Sequence, residues 1–397
     1  MGTHSIRKSV GRALAVISWL SCFATAPLFA ADIRLPANAG ETADADQIAK
    51  LVGELGANTF IVRQHAQRAL VEIGLPAKAA LETAVHDPDG EVRQRARQAL
   101  AAIADVDFHA RLGAFLADPD PDHDYGLAGW QRYRSLSGEG PAARRLFADM
   151  QRAERELLEA VANAPAQAGA LLDARCQQVE NGTAGDPFKQ SHLSLATMSA
   201  LLFASGNPEV PVSAHAGGSL FSFGSQAALA QAMHSRPPSP VRPLVAAWVG
   251  RSFEVDSLTS YRNQLLAMQY NLKEAVAPAL KLIQPPGGRP EWEHFAILAI
   301  AKLGGQEHVA ALEPLLNDER TIDASDRGGQ KSDAEIRDVA LAAMLHLTGQ
   351  KLSDYGFQHA KANPTLLWNA TSLGFNDPAA REEALKKWRA WAEKHLK

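Results

Sequence analysis

Apolar and polar positions recur every three to four residues along most of this chain, the spacing that sets one side of an α-helix against a core. Residues 62–73 read VRQHAQRALVEI and residues 92–103 read VRQRARQALAAI, so both carry V-R-Q-x-A-x-x-A-L-x-x-I at an offset of 30. Residues 336–344, IRDVALAAM, repeat the form as I-R-D-x-A-x-x-A-M. A shorter element also recurs: ALETAVHD at 80–87 and ALEPLLND at 311–318, each ending in an Asp before the next V/I-R helix. The pattern predicts helices over 43–54, 58–73, 105–117, 126–137, 141–162, 166–179, 189–204, 244–252, 257–272, 274–284, 291–303, 306–317, 333–348 and 378–396. In 257–272, Leu258, Tyr261, Leu265, Met268 and Leu272 form a stripe at spacings of 3 and 4, which predicts packing on a neighbouring helix.

Two stretches break the rhythm. Residues 206–223, rich in Gly, Pro and Ser, read as a packed loop with a short hairpin. Residues 236–243, RPPSPVRP, read as a stiff extended linker between two halves. Strand signals are weak throughout, so the fold class expected is all-α. The domain order expected is repeats over 41–117, an atypical helical middle over 118–235, the linker, and a C-terminal region over 244–397. That last region holds repeats at 289–349 and a capping helix at 378–396.

The repeated helix pairs resemble the HEAT-repeat family of armadillo-like α-solenoids. The matching residues are Asp87, Val92, Arg93, Ala96, Ala99 and Leu100, with Asp318, Ile336, Arg337, Ala340, Ala343 and Met344 in the C-terminal copy. The resemblance implies a helical-repeat solenoid, an α-α superhelix here interrupted by an irregular middle segment. It also implies a structural ladder between neighbouring repeats, carried by Arg63, Arg93 and Arg337 with Asp87 and Asp318. Its members are mostly scaffolds, so the inner helices would present Gln64, Arg68, Arg95 and Gln98 to a protein or peptide partner.

The N-terminus changes the setting. Arg7, Lys8 and Arg12 precede an uncharged run from Ala13 to Ala30, the layout of a secretory signal peptide over residues 1–30. An exported protein of the periplasm, cell envelope or surroundings is therefore expected. Cys22 would be a lipoprotein cysteine only with a small aliphatic residue where Trp19 stands. Cleavage removes three basic residues and takes the net charge from −4 to −7, which argues against nucleic acid as a partner. Membrane contact is expected only through an uncleaved signal or the basic helix 378–396, with its Lys386, Lys387, Arg389 and Lys394 beside Trp388 and Trp391.

Candidate chemistry is sparse. No nucleophile elbow, P-loop, dinucleotide fingerprint, H-E-x-x-H or C-x-x-C-H occurs, and no cofactor is implied. Asp118, Asp120, Asp122 and Asp124 alternate as hard oxygen ligands for calcium would. However, His123 stands where an EF-hand needs glycine, and Gly129 where it needs the bidentate Glu. Cys176 and His192 are a thiol–imidazole candidate, and Glu291 with His294 a carboxylate–imidazole pair at i, i+3 on one helix face. Asn181-Gly182-Thr183 and Asn369-Ala370-Thr371 match the glycosylation acceptor pattern. The rival to a scaffold is an envelope hydrolase or metal-dependent enzyme with its site in 118–223. Convergence of Asp122 and Asp124 with His215 or His192 would support it.

Overall fold

The computed structural model describes residues 45–118, 120, 122–183, 193–253, 258–284, 288–322 and 334–396, except for the side chains of 182 and 183. The proposed signal segment, Cys22 and His192 lie outside the described residues. The described residues form seventeen α-helices and one small antiparallel strand pair, so the fold is all-α. The chain divides into two compact units, Met1–Ala104 and Asp105–Lys397.

Unit 1 contains α1 (Ala45–Glu54), α2 (Phe60–Ile73), α3 (Lys78–Ala84) and the first half of α4 (Gly90–Ala117). Its core is small: Leu51, Leu55, Ala66, Leu70, Leu81, Val92, Ala96 and Ala99 are among the residues sealed from solvent. Leu51 with Leu81, and Ala66 with Ala96, stand 30 positions apart and are buried alike. The alanines leave room for the helices to approach, and the leucines fill the space beside them. The inter-helix turns repeat as well. Arg63 Nη1 donates to the Ala57 carbonyl at 2.8 Å, and Arg93 Nη1 to the Asp87 carbonyl at 2.8 Å.

Unit 2 continues from α4 through α5 (Trp130–Ser137), α6 (Pro141–Asn163), α7 (Pro165–Thr183), α8 (Leu195–Ser205), α9 (Ala214–Gly224) and α10 (Ala227–Met233). Then come α11 (Arg242–Val249), α12 (Leu258–Tyr270), α13 (Val276–Leu282), α14 (Pro290–Leu303), α15 (Val309–Leu312) and α16 (Ile336–Leu347). The strands β1 (Ala362–Asn363) and β2 (Leu367–Trp368) pair antiparallel before α17 (Pro378–His395). Helices α8, α14 and α16 are apolar on nearly every side and are the buried centre of the unit. An aromatic cluster of Phe115, Trp130, Tyr133, Phe147 and Phe203 ties α4, α5, α6 and α8 together. The buried Arg144 guanidinium lies 4.0 Å over the Phe115 ring and donates to the Phe115 carbonyl. That places a cation on the otherwise unpaired carbonyls at the end of α4.

Three expectations change. Residues 92–103 and 105–117 belong to one helix, because no Gly or Pro separates them and Ala104 and Asp105 carry the α-conformation through. Residues 236–243 do not divide the chain: Leu229 and Met233 before them and Val241 and Leu244 after them enter one core. The stiff segment is short, and Pro243 already sits in the first turn of α11. Residues 206–223 are not a hairpin but contain α9. Its glycines, read from sequence as breakers, allow close packing on α12. A Cβ on Gly217 would collide with Thr259, and one on Gly224 would lie 2.7 Å from Leu266 Cδ1.

Gly217→Ala should therefore lower the stability of unit 2 by about 1–2 kcal/mol, since overpacking outweighs alanine's helix preference of about 1 kcal/mol. Gly113→Ala in α4 meets nothing within 4 Å and should raise it by up to about 1 kcal/mol. Urea midpoints of the two variants should move in opposite directions. An unchanged or raised midpoint in Gly217→Ala would show that α9 and α12 are not held at this distance.

Candidate partner-binding face

The second helix of each pair in unit 1 exposes one polar stripe. On α2, Phe60, Gln64, Gln67/Arg68 and Val71/Glu72 recur every three to four residues, on the side away from the buried Ala66 and Leu70 except for Val71, which flanks the core. On α4, Arg95 and Gln98 face them. Together these eight residues line one concavity of about 470 Å³. All four residues expected to meet a partner, Gln64, Arg68, Arg95 and Gln98, are in its wall.

Hydrogen bonds hold the floor in place. Arg95 Nε donates to Glu91 at 2.7 Å and Arg95 Nη1 to Gln67 Oε1 at 2.9 Å. Gln67 Nε2 donates to Gln98 Oε1 at 3.3 Å, and Arg63 Nε reaches Glu91 at 3.0 Å. The Arg95 guanidinium, with Arg63 beside it, holds the Glu91 carboxyl below the usual carboxylate range. Arg95 thus braces α2 against α4 while lining the concavity, and its side chain is only 12% exposed. Arg68 is exposed and makes no hydrogen bond or ion pair among the described residues. Phe60 is 58% exposed, with the guanidinium carbons of Arg95 and Arg63 at 5.6 and 6.0 Å from its ring centre.

Sequence reasoning missed Phe60, Gln67, Val71 and Glu72. The signal was present, since Phe60 stands four residues before Gln64. The repeat alignment begins at Val62 and so left it out.

The Asp–Arg ladder does not form in unit 1. Arg93 bonds the carbonyls of Asp87 and Pro88, and the Asp87 carboxylate accepts the Asp89 amide instead. A carboxylate two residues before a free amide is satisfied locally, without waiting for a distant arginine. Arg63 reaches Glu91 of the next helix pair instead, beside the Arg95–Gln67 and Gln67–Gln98 bonds. In unit 2, Asp318 pairs with Arg320, which also reaches Glu293 at 2.6 Å. Arg337 pairs with Glu335 and Glu319.

The other candidates do not assemble into a site. Among the described residues no group of three or more His, Cys, Asp or Glu side chains is placed to hold a metal. Asp118, Asp120 and Asp124 each accept the backbone amide two residues on, and Asp122 pairs with Arg134 at 2.8 Å. The Tyr125 hydroxyl, the Asp120 amide and His123 hold the Asp118 carboxyl far below its ordinary range. His215 lies elsewhere in unit 2, bonded to Asp173 at 3.1 Å and Glu180 at 3.0 Å, which raise its pKa. Asp122, Asp124 and His215 therefore have separate partners. Cys176 is fully buried and burial pushes its thiol up to about 12, the reverse of an activated nucleophile. His294 is buried with its Nδ1–H donated to the Pro290 carbonyl at 2.9 Å. On α17, Trp388 is buried and stacks on Trp391, while Lys387 donates to the Asp354 carbonyl at 2.6 Å. Those contacts hold the helix to its own unit. No helix among the described residues is long and apolar enough to cross a membrane. No family model matches this chain, and no curated protein matches it either.

Proposed function

We propose that this chain is an exported helical-repeat protein of HEAT-like architecture that binds a protein or peptide partner in the cell envelope. The observation that carries the proposal is the concavity between α2 and α4. Four polar side chains of the inner-helix face that the resemblance implies line it together, with an exposed aromatic ring at its edge. Stacked helix pairs supply such a surface without a catalytic pocket. The 30-residue equivalence of buried positions and turn-closing arginines supports the repeat reading. The basic start and apolar run of residues 1–30 support export.

A photo-crosslinking residue at position 64 or 98 of the full chain, expressed in cells, should capture the same discrete protein. The same residue at Lys50, whose side chain is 77% exposed on α1, should not. Arg68→Glu should cut the yield at least about fivefold, a loss on the order of 1 kcal/mol. Arg95 is the poorer choice for charge reversal because a Glu there would face Glu91 and loosen unit 1. Equal yields from positions 50 and 64, or no reproducible adduct from 64 or 98, would remove the proposal.

A further inference from the structure

We infer that the occupant of the α2–α4 concavity is an acidic peptide segment with an aromatic or aliphatic anchor residue. This inference rests on the binding role proposed above and names the chemistry of the partner. Charge is the first observation. Helix α2 together with residues 90–104 of α4 carries five arginines against Glu72 and Glu91, within a chain whose net charge is −4; of these Arg68 and Arg95 line the concavity, beside Glu72. Positive charge is thus gathered on the pair of helices that frames the concavity, where it raises the encounter rate of an anionic segment.

Donor geometry is the second. Arg68 has no partner among the described residues, and Arg95 uses Nε and Nη1 internally, with no partner for Nη2. Arg95, held in place, loses little freedom when its Nη2 meets a carboxylate, and Arg68 offers a whole guanidinium to a second one. Gln64 and Gln98 add amides that can pair with an extended backbone. Apolar surface is the third. Phe60 at 58% exposed, with Val71 further along the same stripe, offers an anchor site flanked by cations. An aromatic or aliphatic side chain would cover the ring while neighbouring carboxylates meet the guanidinium groups.

The probe is a phage-displayed library of random dodecapeptides, panned against the immobilised full chain. Enriched sequences should carry an excess of Asp and Glu around one aromatic or aliphatic residue. Binding of an enriched synthetic peptide should weaken at least tenfold in Arg68→Glu/Gln98→Glu, in which two exposed residues change and the helices keep their circular dichroism. Phe60→Ser, which alters no charge, should weaken it about fivefold. Raising salt from 50 to 300 mM should weaken the wild type and not the double variant. Enrichment of neutral or basic peptides, no enrichment, or enrichment unaffected by the double variant would overturn the inference. Capture of one partner by crosslinks at 64 and 98 through a segment that is not acidic would overturn this inference alone. Failure of the crosslinking experiment removes the binding role itself.

Discussion

Asp338→Ala should cost unit 2 about 3–5 kcal/mol, read as a fall in the urea midpoint followed by tryptophan fluorescence. Trp19 is the one tryptophan outside unit 2, so fluorescence reports that unit. Asp338 is 1% exposed and Arg381 5%. Their contact is two-pronged: Arg381 Nε donates to Oδ1 at 2.8 Å and Nη2 to Oδ2 at 3.1 Å. Oδ2 also accepts the Glu335 amide at 2.9 Å, closing the first turn of α16. Truncation therefore removes a helix cap and a bidentate ion pair together, and leaves the guanidinium to Glu335 at 2.9 Å. Burial raises the Asp338 pKa although Arg381 opposes it, so the pair is costly to desolvate as well as costly to break. Asp338→Leu with Arg381→Met should consequently recover much of the loss, because no buried charge is stranded. A loss below about 1 kcal/mol in Asp338→Ala would mean that the pair behaves as an exposed one, and that α17 is not fixed to α16 through it.

Acidification should destabilise unit 2 by about 3 kcal/mol between pH 7 and pH 4 through His294 alone. The imidazole is 7% exposed and burial lowers its pKa to about 4, opposed only by its bond to the Pro290 carbonyl. In the unfolded chain the same group titrates near 6.5. Between those values the unfolded state holds a proton that the folded state refuses. The His294 contribution is thus fully present above about pH 6.5, is lost as the pH falls, and levels off below about 4. Glu293 and Asp338 run the other way, since burial raises both and makes the folded state the better proton acceptor. The measurement is accordingly a difference: urea stability of wild type minus His294→Leu at pH 7, 5.5 and 4. It should shrink by about 3 kcal/mol towards low pH. A difference that stays constant would show that folding does not shift the His294 pKa.

Helix content was legible in the residues, because the 3.6-residue period is written directly in where apolar side chains fall. The stripes of α2 and α6 could be read without neighbours. That of α12 held only in part: Met268 and Leu272 are buried, but Leu258 is 40% exposed, and Thr259, Asn263 and Gln264 are shut away instead because helices pack on α12 from more than one side. The offset was legible too: it pairs Arg68 with Gln98, which share one wall, whereas Gln64 and Arg95 reach that wall from different phases, their counterparts being Gln94 and His65. A 30-residue offset maps one helix face onto the next, so residues sharing a phase share a surface. Phe60 escaped because it precedes the repeated block, although its period matches.

Other features depend on contacts far apart in sequence. Gly217 and Gly224 have low helix propensity, yet α9 forms because Thr259 and Leu266 of α12 need the space a side chain would take. The proline-rich stretch looks like a linker, but its flanks are drawn into one core. Arg93 and Asp87 carry the residue types of a ladder, and backbone groups in their own turn satisfy them first. Local pattern determined that this protein is helical and which side chains share a helix face. Tertiary packing decided which glycines bend to close approach, which arginine meets which carboxylate, and that Asp338 and His294 would be shut away from water. Those outcomes depend on what stands opposite each side chain, and the local pattern of neighbouring residues does not display that.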